Sequence, residues 1–82
     1  MDEQTVRLEL RALWQSLLPD ERFDDTTVFH EAGGSSLILM RLFMQSMKAF
    51  GVRLEVSRYP ELQTIDQQAR FIIKAREESA RA

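Results

Sequence analysis

The sequence predicts an all-α fold: a small four-helix bundle of three main helices and a short third helix, with a long first loop. Apolar residues recur at helical spacing in three separate stretches, and serine, threonine, proline or glycine stands at the boundaries of those stretches. With 82 residues there is material for one core, so the whole chain, 1–82, is expected to form a single domain.

The first helix is predicted over 5–18. Val6, Leu10, Leu13 and Leu17 recur every three or four residues, Trp14 and Leu18 widen the stripe, and Pro19 stops it. From Asp20 to Ser35 the chain has acids, threonines and glycines without a period, which marks a loop anchored by Phe23, Val28 and Phe29. Loops of this length usually carry function. The second helix is predicted over 36–50, closed by Gly51 as a left-handed cap, and Val52 to Val56 alternates as an extended connector. A short helix over 57–62 is interrupted by Pro60. Thr64 then caps a last helix, 64–78, whose stripe is Ile65, Ala69, Ile72 and Ile73, with Asp66 placed to complement the helix dipole. The polar end from Lys74 onward is expected to fray.

Composition excludes several functions. Without cysteine there is no thiolate nucleophile, disulfide framework or cysteine metal site, and a single histidine cannot hold zinc alone. A net charge of −2 with both signs interspersed gives no basic patch for nucleic acid, and no apolar run is long enough for a bilayer. A cytoplasmic monomer is expected, with neither nucleic-acid nor membrane partners. His30 lacks the nucleophile and orienting partner that a catalytic base needs, so no chemistry is assigned to it.

The run Phe29-His30-Glu31-Ala32-Gly33-Gly34-Ser35-Ser36-Leu37 concentrates the functional signal. Two glycines permit a sharp turn and close approach of a partner's backbone. The serines place a hydroxyl at a helix start, where the dipole favours an attached phosphate. By itself the run also fits a plain capped loop. The helix behind it sharpens the picture. At 100° per residue, Ile38, Leu39, Leu42, Phe43, Ala49 and Phe50 fall in one arc for the core, and Arg41, Gln45 and Lys48 in a polar one. Leu37, Met40, Met44 and Met47 fill a third, apolar sector beginning beside Ser36, which is either further core or a docking surface suited to several partners.

These residues resemble the phosphopantetheine-bearing carrier domains, and are most like the peptidyl carrier (thiolation) domains of nonribosomal peptide synthesis. Phe29, Glu31, Gly33, Gly34, Ser36 and Leu37 match that family's central motif. Arg41-Leu42, Gly51-Val52-Arg53-Leu54 and Thr64-Ile65 match later segments in the same register. His30, Ala32 and Ser35 stand where the family typically has an aromatic residue, leucine, and histidine or aspartate. Pro60 stands where it often has phenylalanine. The alanine leaves less apolar area to hold the loop.

The resemblance implies a carrier without activity of its own. A phosphopantetheinyl transferase would attach 4′-phosphopantetheine from coenzyme A to Ser36. An adenylation enzyme or other acyl-loading enzyme would load an aminoacyl, aryl or peptidyl group as a thioester. Condensation, tailoring or thioesterase enzymes would receive it, meeting the carrier through Gly34, Ser35, Leu37, Met40, Arg41 and Met44. A free-standing protein is expected. Three other readings stay open: an acyl carrier for polyketide, fatty-acid or D-alanyl transfer, a noncatalytic helical interaction module, and a carrier that has lost its modification. The absence of acids between Ser36 and Gly51 disfavours the fatty-acid type, which usually offers acids to basic partner patches.

Overall fold

A computed structural model describes residues 2–81. Three α-helices, α1 (Glu3–Leu17), α2 (Ser36–Phe50) and α3 (Ile65–Arg81), and a 3₁₀-helix (Val56–Glu61) follow in chain order, and no strand occurs among the described residues. No described helix is long and apolar enough to cross a membrane.

The helix ends show how local chemistry sets each boundary. Helix α1 starts two residues earlier than its apolar period implies, because the Asp2 carboxylate accepts from Thr5 N–H at 2.8 Å and caps it. It closes when Leu18 N–H donates to Trp14 O, one residue before Pro19. Helix α2 is capped by Ser35, whose hydroxyl accepts from Ile38 N–H. It ends at Gly51 in the left-handed conformation, φ +66°. Arg76 of α3 also donates to the Phe50 carbonyl, supplying a partner to one of the last carbonyls of α2. Thr64 caps α3 through Gln67 N–H. The expected fraying after Lys74 is corrected: α3 continues to Arg81, its Glu, Lys, Arg and Ala residues being good helix formers. The short third helix is a 3₁₀ turn shifted one residue towards the N-terminus, a tighter form that accommodates Pro60 near its end.

Val6, Leu10 and Trp14 of α1 meet Leu39, Leu42 and Phe43 of α2 and Ile65, Ala69 and Ile72 of α3 in one core. Val52 and Leu54 point inward from the connector while Arg53 and Glu55 stay exposed, as the alternation implies. Trp14 is the hub. Its indole packs edge-on against Phe29 at 5.0 Å and tilted against Phe23 at 5.3 Å. The Trp14 N–H donates to Gln68 Oε1 at 3.1 Å, and the Gln68 amide donates to Leu62 O, so a polar side chain sits in the core with both ends satisfied.

Two calculated arcs of α2 need correction. Ala49 is exposed and Ser46 is buried: on the helical wheel Ser46 falls between Leu42 and Phe50, inside the covered arc, and its small size lets it pack there, whereas Ala49 lies just past the edge of that arc. Met47 is partly buried against the core and so leaves the apolar stripe that was drawn through it.

Candidate functional site

The loop ahead of α2 is built to hold one turn in place. From Val28 to Gly34 the backbone makes a single helical turn that ends in paired bonds, Gly34 N–H to Phe29 O at 3.0 Å and Gly33 N–H to His30 O at 3.2 Å. That is the Schellman closure of a helix end, and it requires the left-handed residue found at Gly33, φ +90°. Gly34 is there for a different reason. A Cβ at this position would lie 2.2 Å from the Phe29 ring, so only glycine lets the buried aromatic pass beneath the backbone.

Gly34 was expected on the partner surface, and the structure corrects this: it is buried, filled over by Phe29, and its task is internal packing. Ala32 is buried too, and the loop is held despite the missing leucine. Phe29 N–H donates to Gln63 O at 2.8 Å, and Asp66 N–H donates to Asp25 O at 2.9 Å, which ties the loop at Asp25 and Phe29 to the residues around the start of α3.

His30 adds a side-chain latch. Its Nδ1 lies 2.8 Å from Gly34 O, and its ring meets Tyr59 of the 3₁₀-helix edge-on at 4.9 Å. Burial pushes the Tyr59 hydroxyl above the usual tyrosine range, so it stays neutral beside the imidazole.

Four charged side chains complete the support. Arg7 bridges Asp25 and Asp66, while Arg11 grips Asp25 with two nitrogens at 2.7 and 2.8 Å. Hydrogen bonds from Arg11 and then Arg7 hold the Asp25 carboxyl below the usual carboxylate range, against partial burial. Sequence reading missed this network. Its bonded arginine–aspartate pairs are 14 to 59 residues apart, and no local pattern links them. A surface hollow of about 600 Å3 lies beside it, lined by Arg11, Gln15, Phe23, Asp24, Asp25 and Thr26, with no residue of α2.

Ser36 stands on this support as the first residue of α2, exposed, with the capping duty taken by Ser35. The first turn of α2 carries no acid, so an anion on the Ser36 oxygen would meet the positive end of the helix without a like charge in that turn. Leu37, the next residue, and Met40 and Met44, one and two turns further along, are 63, 51 and 64% exposed. Arg41 and Lys48 are exposed as well. Ser36, Leu37, Met40, Arg41 and Met44 thus share an open helix, and Ser35 lies at its rim.

A small helical bundle offering one serine at the exposed start of its second helix, beside bare apolar side chains, has the form of a carrier domain. Residues 9–72 match the family described as "Phosphopantetheine attachment site", and the chain belongs to that family. Its cofactor is 4′-phosphopantetheine, covalently attached, and carrier domains of this kind are generally non-catalytic.

Three relatives agree. The chain is 34% identical over 74 residues to the hybrid PKS-NRPS synthetase apdA of Emericella nidulans, a match covering 85% of this chain and 2% of that protein. It is 33% identical over 73 residues to the non-canonical nonribosomal peptide synthetase cpsA of Aspergillus campestris, covering 87% and 7%. It is 30% identical over 92 residues to tenellin synthetase of Beauveria bassiana, covering 99% and 2%. The chain therefore spans only a small fraction of the curated relatives it matches.

Proposed function

We propose that Ser36 is the attachment serine and that the protein carries an aminoacyl, aryl or peptidyl group between enzymes of nonribosomal peptide assembly. The observation that carries this reading is the division of labour between adjacent serines: Ser35 Oγ is committed to Ile38 N–H as the cap, which leaves the exposed Ser36 hydroxyl for modification. When bound, the arm supplies a terminal thiol that holds the cargo as a thioester.

The chain's own residues do the rest. The Gly33 turn and the His30 latch fix the direction in which Ser36 leaves the loop, which limits the orientations a transferase must capture. Leu37, Met40 and Met44 lose water when a partner docks, and their modest area suits contacts that form and break quickly. The partners are a phosphopantetheinyl transferase, an adenylation or other acyl-loading enzyme, and condensation, tailoring or thioesterase enzymes. Aminoacyl or aryl cargo is favoured over fatty-acyl cargo by the basic character of α2, with Arg41 and Lys48 and no acid, which suits acidic rather than basic partner patches. The chain does no chemistry of its own in this reading.

The test is incubation with coenzyme A and a broad-specificity phosphopantetheinyl transferase, followed by intact mass. One phosphopantetheine should be added to the native chain and to Ser35→Ala, and none to Ser36→Ala. An unchanged native mass, with the transferase active on a control carrier, refutes the proposal.

A further inference from the structure

We propose that Met40 and Met44 are a reversible oxidation site that governs docking on α2, an inference that rests on the reading of this face as the partner surface. Three of the chain's four methionines lie on this one helix, and the chain has no cysteine. In the protein without its arm, oxidisable sulfur is therefore thioether sulfur, concentrated beside Ser36. Met40 and Met44 are four residues apart, on one helical face, and are 51 and 64% exposed, whereas Met47 is partly buried against the core.

Exposure decides both reactivity and consequence. Hydrogen peroxide transfers one oxygen atom to the thioether: a sulfur–oxygen bond forms, the peroxide O–O bond breaks, sulfur loses two electrons, and water leaves. A sulfoxide on an exposed side chain stays hydrated, so the fold is unaffected. The same sulfoxide on a surface that must shed water for a partner brings an acceptor without a donor into the interface, which weakens docking on the order of tenfold. Methionine sulfoxide reductases reverse the change with thiol reductant. Among the described methionines, those on the face that receives partners are thus the ones that peroxide alters first.

The experiment treats the arm-free protein with hydrogen peroxide, removes the oxidant, and measures the initial rate of arm transfer from coenzyme A by a broad-specificity transferase. Each sample is referred to its own untreated rate. Peptide mass mapping should place one oxygen on Met40 and one on Met44 before Met47, with an unchanged melting curve and a rate lowered about tenfold. Reductase with dithiothreitol should restore the rate, and a Met40→Leu/Met44→Leu double variant should show a treated-to-untreated ratio near one. Earlier oxidation of Met47, an unaltered rate after oxidation of Met40 and Met44, or persistent sensitivity in the double variant overturns the inference. Untreated protein that accepts no arm refutes the carrier reading instead, and this inference with it.

Discussion

The imidazole Nδ1 of His30 lies 2.8 Å from the carbonyl oxygen of Gly34, so the residue near the start of the glycine turn grips the backbone near its end. A carbonyl only accepts, and Nδ1 therefore carries the proton. The same ring packs on Tyr59, so one side chain links the 3₁₀-helix to the glycine turn ahead of Ser36. His30→Ala should lower stability by about 1 kcal/mol in urea denaturation and slow arm attachment severalfold in intact-mass time courses.

Glycine substitutions should separate packing from backbone strain. Gly34→Ala forces a methyl into the Phe29 ring and is expected to cost about 1–3 kcal/mol or displace the ring. At Gly51 a Cβ meets open space, and Gly51→Ala carries only the left-handed penalty of about 1–2 kcal/mol. The distinguishing measurement is near-ultraviolet circular dichroism, which should report a disturbed Trp14–Phe29 environment for Gly34→Ala alone.

Acid should weaken the loop supports. Asp25 titrates below its ordinary range because Arg11 and Arg7 bind its charged form. A carboxyl with a depressed folded pKa stabilises the protein above its unfolded value, about 3.9, and that contribution is lost as pH falls through the folded value. Asp24 is also held low, by the Thr26 hydroxyl and then its N–H, and adds to the same limb. Denaturation midpoints should stay level from neutral pH down to about 5 and fall below about 4. Asp25→Asn should be less stable at pH 7 and show a shallower acid limb.

The two serines should dissociate stability from modification. Ser35→Ala removes the cap and should cost about 1 kcal/mol while leaving attachment intact. Ser36→Ala is expected to stay within about 0.5 kcal/mol of the native chain and to accept no arm. Paired melting curves and intact masses check both.

Two nearby leucines make a similar contrast. Leu39 is buried, and Leu39→Ala should cost about 2–5 kcal/mol. Leu37 is open to solvent, so Leu37→Ala should alter stability by less than about 0.5 kcal/mol yet lower the transfer rate. Equal effects of both changes on stability would contradict this assignment of the two faces.

What the sequence determined by itself is local. The apolar periods of α1, α2 and α3, the stop at Pro19, and the caps at Ser35, Gly51 and Thr64 all depend on neighbours within about one turn, and such neighbours are visible in the residue order. The motif from Phe29 to Leu37, with its family resemblance, was equally legible. Tertiary structure decided what covers what. It left Ala49 outside, drew Met47 towards the core, and passed Phe29 under Gly34, so that a glycine expected at the surface became part of the packing. It also joined Arg7, Arg11, Asp25 and Asp66. The physical reason is that a helical wheel gives the direction of each side chain but not the position of the segments that pack against it. Those positions are set by contacts such as Trp14 with Phe29 and Gln68, between residues far apart in the chain.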